Sequence, residues 1–285
     1  MVADGAMGTM LFQRGLKPGE CPESLNLTAP EVLEEIAQLY FDAGADIIQA
    51  NTFGASPLKL SDYGLEDKTE EINSKAVECV RKVVGDKAYI YGSCGPSGRL
   101  LKPYGDTDHD VLCRSFERQI KALIDAGVDT ICIETMTDLH EATLAIKAAK
   151  SISQNMPVMA TMTFDDTPRG FYTVMGVNIP DAARCLQEAG ADIIGSNCGN
   201  GIENMIRIAR EFKEVSNLPI IIQSNAGIPE MRDGELFYPE TPEFFALKAR
   251  ELINIGVSII GGCCGTTPEH IRAIRRLDFG RLCRS

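Results

Sequence analysis

The stretch AGADIIQA (residues 43–50) returns as AGVDTICI (126–133) and AGADIIGS (189–196), and in variant form as IGVSIIGG (255–262). Each copy closes an amphipathic segment, places a glycine where a helix stops, and starts a β-branched run. Amphipathic helices are predicted over 30–43, 69–84, 111–126, 181–189 and 242–255, each followed at once by a glycine. Strands are predicted at ADIIQANTF (45–53), AYIYGSCGP (88–96), TICIETM (130–136), PVMATMTF (157–164), DIIGSNCG (192–199), PIIIQSNA (219–226) and SIIGGCCG (258–265). Each strand begins as a near-continuous apolar run, the pattern of a parallel strand buried on both faces.

Seven such units leave a closed (β/α)8 TIM barrel one strand short, and the residues before DGAMGT (4–9) are the candidate for a shortened first strand. With that stub the fold class is α/β, a single (β/α)8 barrel spanning residues 1–285 without a linker or low-complexity tract. An open doubly wound sheet fits less well, because no Gly-x-Gly-x-x-Gly follows a leading strand.

Hydrophobic residues make up 44% of the chain, aromatics 6%, and Trp is absent, so the core is aliphatic. A formal charge of −12 argues against nucleic acid as a partner. No apolar stretch is long enough for a membrane span, and the first ten residues lack the pattern of a signal peptide, so a cytoplasmic location is expected. In such a chain the ten cysteines point to metal, catalysis or plain burial, not to disulfides.

Polar and reactive residues gather where the predicted strands end: Asp4, Asn51, Thr52, Cys94, Glu134, Thr135, Asn197, Cys198, Asn225, Cys263 and Cys264. In a β/α barrel the loops after the strands meet on that face, which is the active-site face. Adjacent strand residues point to opposite sides, yet glycines around Cys263 and Cys264 let the backbone turn so that both thiols aim at one point. Cys198 ends a neighbouring strand. Three thiolates and an open position make a catalytic zinc site, and soft sulfur favours zinc or copper(I) over magnesium. Two buried structural thiols and a chance third are the competing reading of the same spacing.

The ordered motifs DGAMGT, NTFGAS, GSCGPSG, ETMTD, GSNCG and GGCCGTTPEHI resemble the homocysteine S-methyltransferase family over essentially the whole chain. That family includes the homocysteine-binding domain of cobalamin-dependent methionine synthase and betaine–homocysteine methyltransferase. The resemblance implies a homocysteine-binding barrel with one Zn2+ held by Cys198, Cys263 and Cys264. It implies that Asp4 and Glu134 hold the homocysteine amino group, and that Asn225 completes the metal shell when substrate is absent. The segment before DGAMGT is shorter than the family's, and Cys94 stands where relatives often carry an apolar residue; burial is the expectation for it.

Backbone N–H groups of the glycine-rich turn at Gly5 and Ala6 suit the substrate carboxylate. Methyl transfer needs a thiolate, and a free thiol with a pKa near ~8.5 is mostly protonated at neutral pH; metal binding removes that proton. The three histidines have no catalytic arrangement. The expected reaction moves a methyl group to homocysteine to give methionine. No D-x-H-x-x-G corrinoid motif occurs, so the expected donor is a separate methyl-corrinoid protein. The alternative is a small donor such as S-methylmethionine or betaine, for which absent Trp disfavours an aromatic cage, though Tyr40, Tyr63, Tyr104 and Phe53 remain available. A non-catalytic zinc- or thiol-binding partner of a corrinoid protein is the reading from another class. A β/α-barrel lyase lacks the strand-end lysine or metal carboxylates it would need.

Overall fold

The structure, a computed structural model, describes residues 1–232 and 235–277. The expected domain bounds of 1–285 therefore run past the described residues at 278–285. The main elements alternate: α1 (Pro30–Asp42), β1 (Ile47–Ala50), α2 (Thr69–Val84), β2 (Tyr89–Cys94), α3 (His109–Asp125), β3 (Thr130–Met136), α4 (Leu139–Ile152) and β4 (Val158–Met162). They continue with α5 (Ile179–Ala189), β5 (Ile193–Asn197), α6 (Ile202–Val215), β6 (Ile220–Ser224), α7 (Pro242–Ile255), β7 (Ile259–Gly262) and α8 (Pro268–Arg275). The repeat glycines do what the sequence pattern asks. Gly44, Gly127, Gly190 and Gly256 all take positive φ, 86° to 108°, where a side chain would be strained.

The seven strands form one parallel sheet in sequential order, β1 to β7, and this sheet curls so that both edges meet the N-terminal segment. Val2 bridges Ile260 of β7 and Ala3 bridges Ile47 of β1, both in parallel sense. Asp4 continues the contact, donating its N–H to Ile47 O at 3.1 Å and accepting Gly262 N–H at 2.9 Å. Strand alternation then sorts the side chains. Ala3, Ile47, Tyr91, Cys132, Met159, Ile221 and Ile259 form a small inner cluster, while the large aliphatic core lies between sheet and helices.

Two residues further along the strands, the inward positions change to Gln49, Ser93, Glu134, Thr161 and Gln223, a polar layer above the apolar one. No helix among the described residues is long and apolar enough to cross a membrane. Expected strands 45–53 and 88–96 are longer than β1 and β2. Past β1 the chain leaves the ladder, and the side chains of Asn51 and Thr52 bond Pro22 O at 2.9 Å and Ser93 O at 2.8 Å. Two short hairpins also escaped sequence reading: Asp165–Thr167 with Gly170–Tyr172, and Glu230–Arg232 with Glu235–Phe237. Three-residue strands are too short for alternation to show.

At Gly195 of β5 the neighbouring strand β6 leaves no room for a side chain. A Cβ there would lie 1.8 Å from the Ile221 carbonyl oxygen, a contact only backbone movement can relieve. Gly195→Ala is expected to cost about 3 kcal/mol of stability, read as a lower urea midpoint. An unchanged midpoint would show that the two strands separate freely at this position.

Candidate active site

The sulfurs converge because three strand ends are stitched together by main-chain bonds. Cys198, just after β5, donates its N–H to Gln223 O of β6 at 3.1 Å, and Cys263, just after β7, donates to Ser224 O at 2.7 Å. Ala226 N–H closes on Cys264 O at 3.0 Å. Cys198 itself adopts φ 60°, a left-handed conformation unusual for a residue with a side chain. Glycines admit the close packing around the paired cysteines. A Cβ on Gly261 would meet Ala3 and the Asp4 carbonyl oxygen at 2.8 and 2.9 Å, and one on Gly262 would meet Thr266 Oγ1 at 2.2 Å.

The Sγ atoms of Cys198, Cys263 and Cys264 all lie within 4.8 Å of one another, with Cys198 and Cys264 at 3.8 Å. Tetrahedral Zn–S bonds of ~2.3 Å set their sulfurs about 3.8 Å apart, so the trio has the spread of three zinc ligands. Hydrogen bonds from the Cys263 and Cys264 thiols hold Cys198 well below the ordinary thiol range, and the same bonds push Cys263 up. Asn225 follows β6; it is buried, and its Oδ1 has no hydrogen-bond partner among the described residues. An orphaned oxygen beside three thiols fits a cation.

A cavity of about 240 Å³ opens onto the sulfurs. Its walls include the Gly5–Gly8 turn, Glu134, Gln223 and Phe53, and no Lys, Arg or His lines it among the described residues. Glu134, at the end of β3, accepts from Ser93 Oγ, and from Asn197 Nδ2 at 3.2 Å. Burial pushes its pKa up to about 7 against those hydrogen bonds. Asp4 lies behind the wall and does not line the cavity. Its carboxylate accepts from Gln49 N at 2.8 Å and Tyr91 OH at 3.1 Å, and burial raises it to about 7, with Glu134 adding to the rise.

The DGAMG turn is tight because a Cβ at Gly5 would strike Thr266 Oγ1 at 2.7 Å and the Tyr40 ring at 2.9 Å. Ala6 N–H already donates to Thr266 Oγ1 at 3.2 Å. Those of Gly5, Met7 and Gly8 have no acceptor within the described residues.

Together these placements gather three thiols, buried carboxylates and free backbone N–H groups around one cavity. A family model for homocysteine S-methyltransferase matches residues 1–277.

The chain belongs to the homocysteine S-methyltransferase family. It is 33% identical to methionine synthase of Mycobacterium leprae (strain TN) and 34% identical to that of Mycobacterium tuberculosis (strain ATCC 25618 / H37Rv), each over 96% of this chain. The chain spans about a quarter of those relatives, 24% of their length. Its fold is similar to the homocysteine methyltransferase MmuM from Escherichia coli. The metallated form of that protein gives a TM-score of 0.80 at 22% identity, covering 100% of this chain and 96% of that one. The oxidized form gives 0.79 at 23% identity, covering 96% and 94%.

Around this cavity, sequence reading missed Glu23 and Gln223. Glu23 is buried against the cavity, accepts Gly54 N–H at 2.6 Å, and is raised by burial. Gln223 leaves Oε1 without a partner. Alternation along β6 could have flagged Gln223, since it points inward two residues after Ile221. Glu23 sits in a three-residue 3-10 helix, Pro22–Ser24, too short to carry such a signal. Cys94 is fully buried, on the helix-facing side of β2. His270 serves the start of α8, in a reciprocal cap with Thr267.

Because the folded chain binds the Glu134 proton more tightly than the unfolded chain, this group's stability is complete below about pH 4.5 and is lost as pH rises through 7. Between pH 5 and 8 the metal-free chain is expected to lose roughly 2–3 kcal/mol relative to Glu134→Gln. Parallel unfolding curves at both pH values measure it. A constant gap between the two proteins would mean that Glu134 folds as an ordinary carboxylate.

Proposed function

We propose that this chain is a zinc-dependent homocysteine S-methyltransferase, moving a methyl group to the thiol of homocysteine to give methionine. The observation that carries this reading is one small cavity holding three convergent thiols, two buried carboxylates outside any ion pair and open backbone N–H groups, with no Lys, Arg or His in its walls among the described residues. Cys198, Cys263 and Cys264 would hold the zinc, and Asn225 Oδ1 is the oxygen available to it when substrate is absent. Bound zinc would keep the homocysteine sulfur deprotonated at neutral pH.

Glu134 takes the substrate ammonium, with Gln223 Oε1 as a second acceptor. Asp4 adds negative charge from behind and fixes Tyr91 and Gln49 in the wall. Gly5, Met7 and Gly8 offer N–H groups to the carboxylate, while Ala6 contributes shape, its own amide being engaged by Thr266. The amino acid is thereby held at both charged ends, leaving its sulfur beside the three cysteines. In the transfer step the new S–CH3 bond forms as the donor–methyl bond breaks.

The donor we favour is a separate methyl-corrinoid protein. A cavity of about 240 Å³ is below the ~300–1,000 Å³ of pockets that enclose drug-sized ligands, so a corrin ring stays outside and presents its methyl at the mouth. Of the aromatics available for a quaternary-ammonium cage, Phe53 lines the cavity, whereas Tyr40, Tyr63 and Tyr104 do not. In the same reading residues 1–285 are one domain, the N-terminal stub serves as the eighth strand of a closed barrel, and the protein works in the cytoplasm. The last of these suits the nine free cysteines among the described residues.

Purified protein is expected to carry one zinc per chain, and Cys198→Ser to lose most of it, as metal analysis reads. Full zinc in that variant would sink the three-thiolate site. Glu134→Gln is expected to keep zinc but lower kcat/KM for homocysteine by about a hundredfold or more, the scale of removing the partner of a buried charge. A thiol lacking the amino group should be spared. Equal losses with both acceptors would remove Glu134 from ammonium binding.

A further inference from the structure

Asn197, the last residue of β5, is fully buried and does not line the cavity. Its side chain nevertheless touches both ends of the site. Nδ2 lies 3.2 Å from Glu134 Oε2, 2.7 Å from Thr135 Oγ1 and 4.0 Å from Cys263 Sγ. The two amide hydrogens go to the two oxygens, and the Cys263 sulfur rests against the same nitrogen. A single atom therefore fixes how far the carboxylate stands from one of the three sulfurs.

The amide is not free to turn. Its Oδ1 accepts Thr135 N–H and Thr161 Oγ1, each at 2.8 Å. Exchanging oxygen and nitrogen would break both bonds and set an oxygen against the Glu134 carboxylate. The Asn197 carbonyl is anchored as well, accepting from Thr163 Oγ1 at 3.0 Å. On the far side, Thr135 is held at φ 60°, which its β-branched side chain opposes. Asn197 bonds both the N–H and the hydroxyl of Thr135, so it also fixes the backbone next to Glu134.

Recognition of an amino acid by its charged ends does not specify how many carbons lie between those ends and the sulfur. The span between Glu134 and the thiols does. Homocysteine and cysteine carry the same ammonium, carboxylate and thiol and differ by one CH2, about 1.3 Å of extended chain. A thiol of matching length engages both ends at once. A shorter one engages one end and leaves the group at the other unpaired.

We propose that Asn197 selects the length of the thiol amino acid: by holding Glu134 and Thr135 at a fixed distance from Cys263, it sets a span that homocysteine bridges and cysteine does not. Asn197 is a positioning residue, since it acts through Glu134 and Thr135 from behind the cavity wall. The inference rests on the proposed roles of Glu134 and the three cysteines.

The test is calorimetric titration of the zinc-loaded full chain with L-homocysteine and with L-cysteine, with zinc content measured after each run. The wild-type protein is expected to favour homocysteine by about a hundredfold in Kd, within the range that one missing methylene commands. In Asn197→Ala, homocysteine should bind about tenfold more weakly or worse while cysteine is nearly unchanged, because only the matched thiol loses its second contact. Thr161→Val keeps the side-chain shape and removes one of the two bonds on Oδ1. It should shift the ratio in the same direction by about threefold, which keeps the proposal testable where Asn197→Ala does not fold. A ratio unchanged in the variants would overturn the proposal. Equal weakening of both thiols, or loss of zinc, would also overturn it by making Asn197 a support for the site as a whole. Wild-type protein that binds both thiols alike would overturn the span alone. Wild-type protein that binds neither would remove the reading beneath it.

Discussion

Buried negative charge without a protein cation is the constraint on which this site depends. Asp4, Glu23 and Glu134 are all buried, and none joins an ion pair among the described residues, where the ion pairs are largely solvent-facing. Each carboxyl group relies on neutral donors instead: Gln49 N–H and Tyr91 for Asp4, Gly54 N–H and Cys21 for Glu23, Ser93 and Asn197 for Glu134. Neutral hydrogen bonds offset only part of the cost of removing a carboxylate from water. That is why Asp4 and Glu134 both rise to about 7. Near neutral pH they stand ready to ionise fully once a cation arrives.

The backbone supplies this arrangement by leaving regular geometry where the strands end. Thr135 and Cys198 both take φ 60°, a conformation a β-branched residue such as Thr135 adopts only when its surroundings compel it. Asn197 does the compelling. Its side chain accepts Thr135 N–H and donates to Thr135 Oγ1, and the same amide reaches Glu134 and Cys263. One residue thus sets the position of the carboxylate relative to the sulfurs. It also joins β3, β5 and the turn after β7, so the site is only as rigid as the sheet beneath it.

The repeating AGADII pattern made the strand–helix order legible, since a glycine with positive φ and a buried parallel strand both leave local signatures. The thiol cluster was legible because adjacent cysteines flanked by glycines are hard to explain by packing. What stayed hidden depended on distance in the chain. Asp4 looked like a cavity residue in DGAMGT, but its side chain turns to Gln49 and Tyr91, 45 and 87 residues away. Glu23 is placed by Gly54, 31 residues on. Ala6 offered a free amide until Thr266, 260 residues away, was seen to take it. Motifs reveal which chemistry is present; which atoms remain unsatisfied is decided by partners that no local pattern names.

Asp4 shows how closely closure of the sheet and charging of the site are linked. Its main chain bonds Ile47 on one edge and Gly262 on the other, while its side chain is near enough to Glu134 for the two charges to oppose each other. The segment that ties β7 to β1 therefore also introduces a carboxylate whose ionisation the interior opposes. Replacing that carboxylate by an apolar group would strand the Tyr91 hydroxyl and the Gln49 N–H, so its removal brings its own penalty. The fold retains a group that is costly when charged because its hydrogen bonds hold the wall, and under the proposed function its charge would favour a cationic ligand. The stability that the ligand-free chain gives up at this point would return with the proposed ammonium bound beside Glu134.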